Sequence, residues 1–177
     1  MTAVLIRPAV PDDALAIARV HVEAWRHSYR GMVADPDIAA VTVEDGTHGG
    51  PHDLPPDPRT RSLIFVADDQ GEVVGFTSGA ASRHTTQPFD AEVYALYVRP
   101  ARQRQGVGQR LMRTLIDPLF SRGHRSLLVG VLEHNLAGRR FYEAMGGTLV
   151  GTNTLVLGHG TYAEVLYGWP ALEECRA

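Results

Sequence analysis

The sequence predicts an α/β (α+β) fold, and three observations carry the prediction. β-rich runs recur along the chain, from Val4–Ile6 near its start to Thr161–Gly168 near its end. Two of them, Ser62–Asp68 and Glu72–Ala80, meet across Asp69-Gln70-Gly71 as an antiparallel hairpin. Between the strands, two segments keep apolar residues at helical steps of three and four. With 177 residues, the chain is expected to form one domain, 1–177, that buries a core without disulfides or a structural metal.

Each element follows from local chemistry. Val4, Leu5 and Ile6 form a short strand ended by Pro8, and Pro11-Asp12-Asp13 supplies a proline and carboxylates at the start of a helix. Leu15, Ala18, Val22, Trp25 and Tyr29 mark one face of that helix, which ends near Arg30-Gly31. From Thr42 to Arg61 the density of glycine and proline predicts a long flexible loop, a lid or a disordered stretch. The hairpin and a second loop, Ser82–Asp90, lead to a strand at Ala91–Val98. A helix over Gln109–Phe120 follows, held by Leu111, Met112, Leu115, Ile116 and Leu119. Ser126–Leu132 reads as a buried strand, Asn135–Met145 as a helix stopped by Gly146-Gly147, and Thr148–Leu157 with Thr161–Gly168 as a closing antiparallel pair.

Composition excludes several functions. A net charge of −3 and a pI near 6.2 supply no global field for nucleic acid or an anionic membrane, so neither is expected as a partner. The start of the chain has no signal-peptide apolar core, and no run approaches the roughly 18 apolar residues of a membrane span. The single cysteine, Cys175, fits a reducing compartment, and the expected location is cytoplasmic. No metal is expected: His48 and His52 have i, i+4 spacing beside Asp53, but Gly49, Gly50 and Pro51 between them leave no helix to align the rings.

The informative stretch is the link from the strand Ala91–Val98 to the helix that follows. Gln103-Arg104-Gln105-Gly106-Val107-Gly108-Gln109 places free backbone N–H groups at a helix start, where unpaired donors and the positive dipole end favour an anion. Arg99, Arg102, Arg104 and Arg110 surround the turn with guanidinium forks suited to phosphate. The turn is no P-loop, because Gly108 is followed by Gln109 and Arg110 rather than by Lys-Ser/Thr. As a dinucleotide fingerprint it lacks the third glycine, where Leu111 stands.

Gln103–Gly108 resembles the Q/R-x-x-G-x-G/A signature of the GNAT acetyltransferase superfamily, and Asn135–Gly146 resembles its N-x-x-A-x-x-F-Y-x-x-x-G helix. One position departs: Gly138 stands where that pattern has alanine, which lowers helix propensity by about 1 kcal/mol. The order of strands and helices resembles the superfamily over nearly the whole chain. The resemblance implies a largely antiparallel sheet of about six to seven strands flanked by helices and splayed between the fourth and fifth strands. It implies transfer of an acetyl group from acetyl-CoA, with no metal, to an amine on a small molecule or a peptide.

The resemblance also assigns roles. Gln103 to Gln109 would hold the pyrophosphate, and the backbone of Leu96, Tyr97 and Val98, with Asn135, would bind the pantetheine arm and thioester. Asn135 is equally placed to cap its helix. Tyr142 falls at the family's general acid, and a phenol is protonated at neutral pH and able to give its proton to a thiolate. Glu92, fourteen residues before Gly106, matches a glutamate used as base, and simple strand alternation would put it on one face with Tyr94 and Leu96. A second glutamate position of the family, five residues before Asn135, is Gly130 here. Trp25, Tyr29 and Glu23 are candidates for the acceptor wall, with Trp25 favoured as core, and His134 is a candidate proton shuttle. Two alternatives keep the fold without the reaction: an acyl-CoA sensor, or a protein-interaction module that forms a homodimer through its C-terminal strands.

Overall fold

The computed structural model describes residues 4–44, 62–84 and 86–176. Its most local piece is the hairpin of β2 (Leu63–Asp69) and β3 (Glu72–Ala81), where Ile64, Phe65, Val66, Val73, Val74 and Phe76 supply β-branched and aromatic side chains. Gln70 and Gly71 join the strands with φ of 57° and 91°, as a two-residue type I′ turn requires. Asp68 holds the turn by accepting the Gly71 N–H at 2.6 Å.

β1 (Leu5–Pro8) adds to β2 at one edge, and β4 (Ala91–Val98) adds to β3. β5 (Leu127–Leu132) lies beside β4, and β7 (Gly160–Trp169) separates it from β6 (Thr148–Leu157). The seven-stranded order is β1-β2-β3-β4-β5-β7-β6, antiparallel except for β4 and β5, which run parallel. A parallel neighbour needs a crossover, and α3 (Val107–Ser121) supplies it.

Helices cover both faces. α1 (Ala14–Ser28) and the five-residue α2 (Asp35–Ala39) lie on one side, where Ile17 and Val20 pack on Ile64, Val66, Phe76 and Ala95. On the other, Leu111, Met112, Leu115 and Ile116 of α3 pack on Phe65, Val93, Val129 and Val131, joined by Tyr142 of α4 (Leu136–Ala144) and by Trp169. Burying a side chain such as Leu111 or Leu115, both at 0% exposure, contributes about 2 kcal/mol each before the entropy of ordering it.

Two elements differ from the sequence reading. Leu15, expected on the buried seam, is 46% exposed, because the packed stripe of α1 begins two residues later, at Ile17, and includes Val20, His21 and Ala24. α2 has no counterpart in the sequence reading, since five residues are too few for periodicity to register. Residues 45–61, most of the loop expected over Thr42–Arg61, and with them His48, His52 and Asp53, lie outside the described residues. Among the described residues no helix is long and apolar enough to cross a membrane.

Candidate active site between the parting strands

β4 and β5 pair only at Ala91, Glu92 and Val93 with Leu127, Leu128 and Val129, and then separate. Beyond that point β4 stays bound to β3 as far as Val98, and β5 stays bound to β7 as far as Leu132. The inner edges of both strands therefore carry backbone groups that face a gap instead of a neighbour, and such groups require a partner. A cavity of about 470 Å³ occupies the gap.

The cavity gathers most of the residues singled out from the sequence. Leu96, Tyr97, Val98, Gln103, Arg104, Gly106, Gly108, Gln109, Asn135 and Tyr142 line it, with Gly130, Phe141, Ser28 and Tyr29. Three of those assigned to the donor or to catalysis fall outside it. Gln105 is exposed, and its side chain donates to the Ala101 carbonyl at 3.0 Å. The Val107 side chain turns into the core at 3% exposure, leaving only its backbone to the turn. Glu92 sits deeper, at the closed end where the strands still pair.

At the mouth, Arg104 (φ 61°) and Gly106 (φ 80°) are both left-handed, a sequence of conformations that turns successive N–H groups toward one point. Gly106 is the N-cap of α3 and supplies no side-chain cap, so the first-turn donors of the helix are open to an anion. A Cβ at Gly106 would meet nothing within 4 Å, so the backbone conformation and not space calls for glycine. The arginines divide. Arg99 pairs with Glu72 and Glu23, and Arg102 with Asp69, so these two brace the fold. Arg104 and Arg110 remain exposed at the turn. Glu23, expected on the acceptor wall, is drawn to Arg99 and borders a separate groove with Arg19, Arg26 and His27.

The two faces of the gap differ, and a bulge decides which residue faces where. Ser78 pairs with Ala95 and Gly79 with Val93, which leaves Tyr94 as an extra residue in β4. One extra residue reverses the alternation. Val93, Leu96 and Val98 therefore pack toward α3, and Ala95 and Tyr97 toward α1. Glu92 pairs with Leu128 on the α1 face, so it shares a face with Tyr97; the alternation that grouped it with Leu96 is corrected by the bulge.

On the α3 face, Tyr142 is buried edge-on against Trp169 and stacked beside Tyr167. Burial, with a smaller contribution from Tyr29, holds its phenol well above the usual range, so it is protonated at neutral pH. On the α1 face, Trp25 is core with Val33, Ile38 and Leu132, as favoured from the sequence. Tyr29 and Tyr97 hydrogen-bond to one another, and burial raises both phenols. Asn135 does two things: its Oδ1 accepts the Gly138 N–H at 3.0 Å as a helix cap, and its side chain reaches Tyr29. Arg83 clamps Glu92 with its backbone N–H and its guanidinium, both at 2.9 Å. His134 is exposed and stands outside the cavity lining.

Sequence reasoning missed one carboxylate on this face. Glu164 of β7 lies over Gly130, its Oε1 only 2.3 Å from the point where a Cβ on Gly130 would stand. Burial raises its pKa above the usual glutamate value. No motif marks Glu164; only the β5–β7 pairing, with Glu164 opposite Leu132, brings it to the gap. Among the described residues, no group of three or more His, Cys, Asp or Glu is arranged to hold a metal.

Comparison with known proteins agrees with this geometry. Residues 23–147 match the model of the Acetyltransferase (GNAT) family. An uncharacterized N-acetyltransferase of Bacillus subtilis, YuaI, is 31% identical over 176 residues, covering 98% of this chain and 96% of that protein. A crystal structure of a GNAT-family protein from Desulfovibrio desulfuricans superposes with a TM-score of 0.70 at 19% identity, covering 96% of this chain and 99% of the other. That of yncA from Salmonella typhimurium, solved with its cofactor acetyl-CoA, gives 0.68 at 22% identity, covering 98% and 96%.

Proposed function

The chain belongs to the acetyltransferase (GNAT) family, and from that premise we propose that it transfers an acetyl group from acetyl-CoA to a primary amine by direct attack in a ternary complex, with residues 1–177 acting as one domain. The observation that carries this reading is the gap that opens beyond Val93 and Val129, with an anion-binding turn at its mouth and a buried phenol at its side.

The residues present fit the donor. The left-handed pair Arg104 and Gly106 aims the N–H groups of Gln103 to Gln109 at a pyrophosphate, with Arg104 and Arg110 beside them. Backbone groups of Leu96, Tyr97 and Val98 offer hydrogen bonds to the amides of the pantetheine arm; Gln103 already donates to the Val98 carbonyl at 3.0 Å, which leaves that residue's N–H for the task. Asn135 contributes from the opposite wall.

Acetyl-CoA supplies the activated thioester, and the chain supplies orientation and protons. Tyr142 donates to the sulfur as it leaves. Its raised pKa suits that task, because the burial that disfavours phenolate there disfavours thiolate too. An acceptor amine arrives as ammonium and must lose a proton. Glu92 is the base the sequence offers; it stays in the proposal as a buried charge on the acceptor face, paired with Arg83.

Calorimetric titration with acetyl-CoA tests the reading before an acceptor is known. The expected result is saturable binding at micromolar affinity, about −8 kcal/mol, followed by thiol release when primary amines are added. Folded protein that fails to bind acetyl-CoA would overturn it. Binding with no thiol release would favour an acyl-CoA sensor.

A further inference from the structure

We infer that Glu164, the β7 carboxylate lying over Gly130, is the group that takes the proton from the acceptor amine; the inference rests on the acetyl-transfer reading above. Three observations place it. Gly130 lines the cavity, just past the last β4–β5 pair, and the carboxylate occupies the space that a side chain there would fill. The carboxylate carbon is 2.4 Å from the ideal Cβ position, so a larger residue at 130 and the present position of Glu164 exclude one another. The carboxylate also acts on the site: burial is the main cause of the raised phenols of Tyr29 and Tyr97, both of which line the cavity, and the Glu164 charge adds a smaller rise to each.

Glu164 stands on the α1 face and Tyr142 on the α3 face, so an amine and a thiol meeting in the gap would each have a proton-handling group on its own side. Glu92 shares the α1 face, but Arg83 holds it twice. Glu164 has a neutral partner instead: Asn153 of β6 donates to Oε2 at 3.0 Å, and Oε1 lies nearest Gly130. The groups that act on it are Asn153, His84, Arg83 and Glu92, besides the two tyrosines. Burial is the largest influence and raises its affinity for a proton, which a base facing an ammonium needs.

The proton account closes. Glu164 takes one proton from the ammonium; the freed lone pair forms the N–C bond at the thioester carbonyl carbon as the C–S bond breaks. Tyr142 gives its proton to the sulfur and regains one from the nitrogen through water. Glu164 passes its proton to solvent, so ammonium and thioester become amide and thiol with one proton released.

The test compares Glu164→Gln and Glu92→Gln for acetyl-CoA affinity and for thiol release with three probe amines: putrescine, L-phenylalanine amide and a lysine peptide. For Glu164→Gln we expect acetyl-CoA affinity within about twofold of the parent protein and kcat lowered at least about 100-fold, with the acidic limb of the pH profile lost. Moving the carboxylate back into the same space by Gly130→Glu with Glu164→Ala should recover at least about tenfold over Glu164→Ala alone, which a structural role would not do. Unchanged kcat in Glu164→Gln, a rise in KM alone, or a collapse confined to Glu92→Gln would each overturn the inference. So would parent protein that binds acetyl-CoA and acetylates none of the probes, whereas failure to bind acetyl-CoA would defeat the transferase reading itself.

Discussion

The two sides of the gap are built differently. The side toward α3 comes from Leu96 and two contiguous segments, Val98–Gln109 and Asn135–Tyr142, packed on an apolar core of Leu111, Met112, Leu115, Val129 and Val131. The side toward α1 is assembled from Tyr29 at the end of α1, Arg83 after β3, Glu92 and Tyr97 of β4, and Glu164 of β7, and it buries His21 and Glu92. A reagent of fixed structure can be met by a rigid, sequence-local site, whereas acceptor chemistry depends on charges brought together by the whole sheet. The α3 side should therefore be robust to pH and tolerant of change on the α1 side, and the α1 side should respond to both.

Acid should separate the sides most. His21 packs against Trp25, Phe76 and Tyr97, and burial lowers its pKa from 6.5 to about 4. The unfolded chain then binds a proton that the folded chain refuses, so stability is lost as pH falls from about 6.5 toward 4, by on the order of 3 kcal/mol over the window. His21→Leu should remove that portion of the loss in urea melts between pH 7 and 4.5. The two tryptophans sit on opposite sides, Trp25 in the α1 cluster and Trp169 in the α3 cluster. Single-tryptophan variants should show the Trp25 signal changing at the higher pH; coincident changes would break the comparison.

Tyr142→Phe probes the α3 side. It should cut kcat at least about tenfold, roughly 1.4 kcal/mol, and leave acetyl-CoA affinity within about twofold, measured by calorimetry and thiol release. The ring would keep its packing on Trp169 and lose only the hydroxyl. Affinity lost together with kcat would make Tyr142 a binding residue, and the split between binding and chemistry on this side would fail.

The same division explains what the sequence disclosed. The anion-binding turn and the helix from Asn135 could be read because each is one short segment whose function follows from local backbone geometry. The hairpin, the last strand pair and the parting of the fourth and fifth strands were legible too, the last through resemblance alone. The face of Glu92 was misjudged because a bulge at Tyr94 leaves no mark in a pattern of alternating residues. Gly130 read as a missing carboxylate, yet the fold brings Glu164 from another strand into the space above it. Arg99 and Arg102 were assigned to phosphate because their acidic partners, Glu72, Glu23 and Asp69, lie on other elements.

Gly138 joins the two sides, and replacing it should produce the smallest change. Alanine there would gain up to about 1 kcal/mol of helix propensity. Its Cβ would stand 2.7 Å from Asn135 Nδ2 and 3.2 Å from Val131 Cγ1, so the Asn135 amide must move. That amide caps α4 through the Gly138 N–H, and losing such a cap costs about 1 kcal/mol. The two effects nearly cancel, so Gly138→Ala should shift the melting temperature by less than about 2 °C. The contact from Asn135 to Tyr29 would not survive the move, and acetyl transfer should fall by about two- to threefold with acetyl-CoA affinity held. A rise of about 3 °C would mean that Asn135 moves at no cost and that its cap contributes nothing to stability. Unchanged transfer at unchanged stability would show that the Asn135–Tyr29 contact carries no information between the donor and acceptor sides.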